Sequence, residues 1–288
     1  MTDTEMLQET ATHRATDWQC RNVMMKKTIC VLLTLCICIS LAACGGGSTY
    51  GVKTAEVLVS QEYSLAFRNN DPLIYYVVAG LKVLAAQGKV DELSSKWFGS
   101  KAVSFEKDAS ALDDLAVPQD KTFIIGVDAN SFPLVYVSND QFWGFDVELA
   151  IALTELLGWK LQMQGIEKEN VYNELASGNI DCAWGGIALN EKEVSSELYT
   201  AYGPYISNDI VIATHDSALV GNFKGKTLAM PSTPEALDAL NSDAKLAGRL
   251  GNVIRLVGGT TECFSYLYAG RCDAILTDST AIQYYNCH

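Results

Sequence analysis

Lys121–Ala150, KTFIIGVDANSFPLVYVSNDQFWGFDVELA, reads as strand, loop, strand, turn and helix. Phe123–Val127 is a short apolar run that stops at Asp128, the pattern of a buried strand. Ser131-Phe132-Pro133 breaks the run, and Val135-Tyr136-Val137 is β-branched and aromatic. Ser138-Asn139-Asp140 is turn chemistry. A helix is expected from near Asp146 to Gly158, with Ala150, Leu153 and Leu157 on one face. Ligands of open α/β sheets meet the carboxyl ends of strands. Asp128 and Phe132 stand just past such an end.

The chain has length for one large domain or two small ones, each with its own core. Its formal charge of -13 argues against nucleic acid and against an electrostatic hold on anionic lipid. Met24-Met25-Lys26-Lys27 and then Thr28–Leu41 form a basic start and an apolar run. The run is shorter than the ~20 residues a spanning helix needs and suits a signal peptide within residues 1–43. A signal anchor is the alternative. Leu41-Ala42-Ala43-Cys44 resembles a bacterial lipobox, which implies cleavage before Cys44 and lipidation of its thiol. Residues 1–23 fit no targeting pattern, so Met24 or Met25 is a candidate start. Residues 44–56, opening Gly45-Gly46-Gly47-Ser48, read as a flexible tether. Processing removes Cys20, Cys30, Cys36 and Cys38. Cys182, Cys263, Cys272 and Cys287 remain in no metal-binding spacing; a disulfide among them is left open.

Val57-Leu58-Val59 is a strand candidate, and Tyr63–Arg68 is another. Asp71-Pro72 can open a helix striped with Leu73, Val77, Leu81 and Leu84; a second short helix covers Val90–Trp97. Residues 100–120 carry no periodic element and read as a linker. Trp159–Gln164 alternates as a half-exposed strand, Asn170–Ser177 is a short helix before Gly178, and Ile180–Trp184 is the next strand. Tyr202-Gly203-Pro204-Tyr205 reads as a turn, after which Asp209–Thr214 crosses to a second lobe. There Gly225–Met230 is turn and strand, and Ser232-Thr233-Pro234-Glu235 is a capping box. Glu262–Ala269 is a helix and Cys272–Leu276 a strand ending at Thr277-Asp278. The helix–glycine–strand stretch Leu175–Ala183 is echoed by Leu267–Ile275, which supports two similar α/β lobes.

These stretches resemble a family 3 bacterial extracellular solute-binding protein, the amino-acid receptor of an ABC transporter. The opening unit at Lys121–Ala150 matches the family's first lobe. YSLAFRNND, LKVLAAQGK and SKWFG, within Val57–Gly99, match the family's carboxyl-terminal end, yet they come first here. The resemblance implies a two-lobed, type II periplasmic-binding-protein fold of α/β class, with a ligand cleft between lobes and a two-strand hinge. It further implies a circular permutation. Residues 57–62 then supply a strand of lobe 2, 63–99 the hinge strand and terminal helices of lobe 1, and 100–120 a linker. Residues 121–206 form the rest of lobe 1, and 207–288 lobe 2.

The ligand site implied by the resemblance consists of Asp128 and Phe132, Trp184-Gly185-Gly186 with Ala188, Ser232 and Thr233, and Asp278. Asp278 matches the aspartate that takes a ligand's ammonium, and a helix N-cap role is expected of it as well. Ser232 and Thr233 would offer N–H groups to an anion, less the one that Pro234 lacks. Two positions depart from the family. Glu193, in Asn190-Glu191-Lys192-Glu193, stands where the family has the arginine that clamps a carboxylate, and Lys168 stands where it has a stacking aromatic. Asp181 reads as a structural turn carboxylate. The expected ligand is an amine or cationic amino-acid derivative rather than a neutral amino acid.

No nucleophile–base pair, Walker loop or paired metal ligands appear, and His13, His215 and His288 have no motif around them. The reading is therefore a monomeric binding protein with no cofactor and no enzymatic activity, partnered by a small solute, an ABC permease and a membrane through its lipid anchor. Two rivals stay open: an enzyme on the same fold, and a receptor-like or degenerate paralogue that binds a protein or no solute.

Overall fold

A computed structural model describes residues 51–188 and 199–288. The elements in chain order are β1 (Lys53–Val59), β2 (Glu62–Arg68), α1 (Leu73–Ala86), α2 (Lys89–Phe98), β3 (Thr122–Val127), β4 (Tyr136–Ser138), β5 (Gln141–Trp143), α3 (Phe145–Leu157), β6 (Lys160–Gly165), α4 (Val171–Ser177), β7 (Cys182–Ala183), β8 (Tyr199–Ser207), β9 (Ile210–Thr214), β10 (Thr227–Pro231), α5 (Pro234–Ser242), α6 (Ala244–Ala247), β11 (Asn252–Leu256), α7 (Gly259–Tyr268), β12 (Ala274–Asp278) and α8 (Ser279–Cys287). The protein is an α/β fold of two lobes, each built on one sheet.

The two sheets share one plan. The first runs β6-β3-β7-β2-β8 and the second runs, from its parallel edge, β11-β10-β12-β9-β1. In each, three parallel strands are followed by two antiparallel ones. The echoed helix–glycine–strand units occupy equivalent places. Gly178 and Gly270 end their helices at φ 77° and 64°, a left-handed conformation that costs glycine little. Each unit then places an aspartate against the start of the neighbouring parallel strand, β3 in one sheet and β10 in the other. Asp181 accepts from Ile124 N–H at 2.9 Å and Lys121 Nζ at 3.1 Å. Asp273 accepts from Thr227 N–H at 2.8 Å and Lys226 Nζ at 3.2 Å. Asp181 is thus a structural carboxylate, as expected.

Residues from both sides of the linker build the first core. Leu81, Leu84, Trp97 and Phe98 are buried with Phe123, Phe145, Leu149 and Leu153. Gly80 permits this approach, since a Cβ there would stand 2.5 Å from Leu153. The linker itself is irregular and lies on the lobe: Ser104 N–H donates to Tyr205 O at 3.1 Å, and Asp108 N–H to Lys82 O at 3.3 Å. In the second lobe, one face of the sheet packs on α7 and α8 and the other on α5 and α6.

Several boundaries differ from the sequence reading. β1 begins at Lys53, inside the segment read as tether, because Lys53 and Thr54 continue the ladder to Thr214 and Ala213. Tyr202–Tyr205 is not a turn but the middle of β8. A proline there removes a ladder donor, which an edge strand tolerates, and β8 is the edge of its sheet. β11 was not anticipated. Cys182, Cys263, Cys272 and Cys287 are free thiols.

The chain passes between sheets from β1 to β2 and from β8 to β9. These crossings are bonded to each other: Asn208 N–H donates to Gln61 O at 2.9 Å, and Gln61 N–H to Asp209 Oδ1 at 3.2 Å. They form the two-strand hinge. α8 makes a further contact between lobes, with Tyr284 at 5.8 Å from the Trp97 ring and 4.8 Å from Phe132.

Candidate functional site

Two adjoining cavities of about 550 and 680 Å³ fill the space between the lobes and share Asp128, Asn130, Ile210, Thr233 and Glu235. The loop after β3 forms one wall. Asp128 Oδ1 accepts from Asn130 N–H at 2.9 Å and Oδ2 from Ser131 Oγ at 3.2 Å, so the carboxylate shapes its own loop. The single Ser131 hydroxyl proton is shared with Gly186 O, 3.0 Å away. Gly186 has φ 73°, and a Cβ there would overlap the Ser131 side chain; only glycine lets the loop close on the end of β7. Phe132 lines the first cavity and packs against Tyr136 and Tyr284 at 5.1 and 4.8 Å.

Asp278 ends β12 on the floor of the same cavity. Its expected capping role is not performed: Asp278 makes no side-chain bond to α8. Asn208 Oδ1 caps the helix instead, accepting from Thr280 N–H at 3.2 Å. Burial, with Glu235 and Asp128 nearby, pushes the Asp278 carboxyl up to about 7, against a hydrogen bond from Asn208.

Ser232 and Thr233 line the cleft, and the Ser232 N–H is engaged within the lobe. Ser232 N–H donates to Leu256 O at 2.8 Å, and Thr233 is itself the N-cap of α5, with Oγ1 accepting from Ala236 N–H at 3.2 Å. The expected capping box is therefore displaced by one residue. Pro234 takes the first helical position, so Glu235 falls one place short of the reciprocal bond and lines both cavities instead.

Trp184, Gly185 and Ala188 do not line either cavity. Trp184 is 1% exposed and belongs to the first-lobe core. Its indole stands beside Asp146, whose Oδ2 accepts from Tyr205 Oη at 2.9 Å. Ala188 bridges Tyr63 on β2, and Gly185 O accepts from Asp128 N–H at 2.9 Å; both support the wall from behind. Lys168, half-buried in a short 3-10 turn, does line the second cavity. Glu193 and Cys44 lie outside the described residues.

Sequence reasoning missed Tyr63, Tyr136, Asn208 and Glu235. A carboxylate in the first turn after a strand-end loop was the available signal for Glu235; Asn208 had none, because its partners are far away in the chain. The result is an acidic cleft. Among the described residues that line it, Asp128, Glu235, Asp278, Glu167, Glu169 and Asp238 stand against Lys168.

Residues 123–255 match the family of bacterial extracellular solute-binding proteins, family 3. The chain is 25% identical over 167 residues to the probable amino-acid-binding protein YxeM of Bacillus subtilis, covering 57% of this chain and 61% of that protein. It is 28% identical over 113 residues to the arginine-binding extracellular protein ArtP of the same organism, covering 38% and 44%. The matched region is thus under two thirds of either relative's length. Among solved structures it is similar to a polar amino acid ABC uptake transporter substrate-binding protein from Streptococcus thermophilus. The TM-score there is 0.43 and the identity 27%, covering 57% of this chain and 67% of that one.

Asp146 supplies a stability prediction. Burial pushes its carboxyl from 3.8 up to about 7. The folded state then holds a proton that the unfolded chain releases. This contribution is full below about pH 4 and is lost as pH rises through 7. Asp146→Asn cannot ionise and can still accept from Tyr205. Relative to the parent it should gain about 2–4 kcal/mol in unfolding free energy between pH 4.5 and 8, measured by urea denaturation. Parallel stability curves across that range would refute the assignment.

Proposed function

Because residues 123–255 belong to the bacterial extracellular solute-binding proteins, family 3, we propose that this protein captures a small cationic solute in its cleft and delivers it to an ABC permease. The acidic lining carries the reading. Both lobes contribute carboxylates: Asp128, Glu167 and Glu169 from the first, and Glu235, Asp238 and Asp278 from the second. Asp278 takes the ligand's ammonium by a charge-assisted hydrogen bond. Phe132 and Tyr136 line the same cavity with aromatic surface, which favours a cation further. The carboxylate end of an ordinary amino acid has no described guanidinium in the lining to meet it. The arginine-binding relative is consistent with a cationic ligand.

On this reading the lobes close about the β1–β2 and β8–β9 crossings once the ligand engages both walls. The protein works outside the cytoplasm as a lipoprotein held through Cys44. Val57–Gly99 represents the family's carboxyl-terminal end moved ahead of its first lobe. The docking of Leu81 and Trp97 in the first-lobe core supports that permutation.

Two experiments test the proposal. Calorimetry should find L-arginine or putrescine bound at least 100-fold more tightly than L-leucine. Asp278→Ala should weaken the cation by 10- to 1,000-fold (about 1.4 kcal/mol per decade). Submicromolar L-leucine binding that Asp278→Ala leaves intact would sink both the ligand class and the site. For the anchor, Cys44→Ala should move the protein from the membrane fraction to the soluble fraction. Retention on membranes would instead assign residues 28–41 as a signal anchor.

A further inference from the structure

Asn208 lies where β8 passes into β9 and is 2% exposed. Its amide makes four side-chain hydrogen bonds. Oδ1 accepts from Thr280 N–H at 3.2 Å and from Thr280 Oγ1 at 2.7 Å. A backbone N–H can only donate, so this contact fixes which end of the amide is oxygen. Nδ2 therefore faces the other way, donating to Tyr63 Oη at 2.9 Å and to Asp278 Oδ1 at 3.2 Å. Both amide hydrogens are used, and a buried polar group satisfied this fully is held in one orientation.

The three partner residues belong to different parts of the molecule. Tyr63 is on β2, which rises from the opposite hinge crossing, and it lines the cleft. Asp278 and Thr280 straddle the start of α8. Asp278 occupies the N-cap position of that helix with φ -83° and ψ 146°, the extended conformation from which an aspartate ordinarily caps the first turn. It does not do so here. The Thr280 N–H is taken by Asn208, and the Ser279 N–H by Asp209 O at 2.8 Å. The hinge caps the helix, and the residue built to cap it is left for the cleft.

We propose that Asn208 is a positioning residue of the ligand site, which takes over the capping of α8 and so frees the Asp278 carboxylate and aims it into the cleft. This rests on the reading of Asp278 as the ammonium partner. It adds a mechanical link, because the residue that holds the ligand's partner is also bonded across the hinge, through its N–H to Gln61 O.

The Asp278 carboxyl is the group whose titration reports this arrangement. The ionisable groups facing it are Glu235 from α5, Asp128 from the loop after β3 and Tyr63 from β2. Burial and the two carboxylates raise its carboxyl, and the Asn208 amide opposes them. Two substitutions at Asn208 then act in opposite directions. Asn208→Ala removes the cap, and Asp278 swings back onto the vacant Thr280 N–H. It gains a donor, leaves the acidic cleft, and its midpoint falls from about 7 toward the ordinary carboxylate range. Asn208→Asp keeps an oxygen for Thr280 but replaces the donor to Asp278 with a second carboxylate. The pair then holds its shared proton to higher pH.

The test is the carboxyl titration of the full mature chain carrying ¹³C-labelled aspartate, followed by NMR, with Asp278→Asn identifying the resonance. The expected result is a midpoint at least one pH unit lower in Asn208→Ala and at least one unit higher in Asn208→Asp. Shifts in the same direction, or none, would overturn the proposal; if Asn208→Ala does not fold, Asn208→Leu makes the same downward prediction. L-arginine affinity at pH 7 should fall at least ten-fold in both variants. If the parent does not bind L-arginine or putrescine, the reading of the cleft as a cation site fails, while the opposed titration shifts still decide the positioning role.

Discussion

Two extended crossings, bonded to each other between Asn208 and Gln61 and between Gln61 and Asp209, join the two sheets among the described residues. The rest of the molecule depends on that narrow joint. Each lobe has its own buried core, and Tyr284 and Phe132 are aromatic side chains that pack from one lobe onto the core of the other. The space between them is left polar and open. Few torsions need to change for one lobe to rotate on the other. The contact of Tyr284 in α8 with Trp97 and Phe132 bears on the same motion, since these rings join the lobes away from the hinge bonds.

The charge of the cleft gives the joint a direction. Glu167 and Glu169 of the first lobe line the cleft with Glu235 and Asp238 of the second, and on the proposed reading closure brings them together. Two like charges about 4 Å apart repel by roughly 4 kcal/mol at the effective dielectric of a protein surface. An empty closed state is disfavoured by such terms, and a cation between the walls reverses their sign. Burial first, and then the neighbouring Glu235 and Asp128, raise the Asp278 carboxyl in the same cleft. On the proposed reading a cationic ligand takes the place of a proton there, so capture below about pH 7 is coupled to proton release.

How far the sequence revealed this follows from the range of each interaction. The run ending at Asp128 was legible because a buried strand and its stop are local patterns. The repeated helix–glycine–strand unit was legible for the same reason, down to Asp181 and Asp273, which pin equivalent strands in the two lobes. The docking of Leu81 and Trp97 on the first lobe was expected from the resemblance and an apolar stripe. β8 was misread because Gly203-Pro204 is turn chemistry locally, and only its place at a sheet edge makes the proline harmless. Trp184 was placed at the cleft wall by the resemblance of its stretch to the family's, while its own side chain suited core and cleft equally; packing sends its ring inward. Thr233 displaced the expected capping box by one residue, a choice between adjacent hydroxyls that spacing alone does not make. Asn208 was invisible, since what makes it matter is contact with Tyr63 and Thr280, both distant in the chain.

The central claim is that a cation draws the two lobes together across an acidic cleft. Small-angle X-ray scattering of the mature chain, at pH 7.5 with and without saturating ligand, measures that motion directly. The account predicts a smaller radius of gyration with L-arginine or putrescine and no change with L-leucine. An unchanged radius while calorimetry shows the cation bound, or compaction by L-leucine alone, would contradict it.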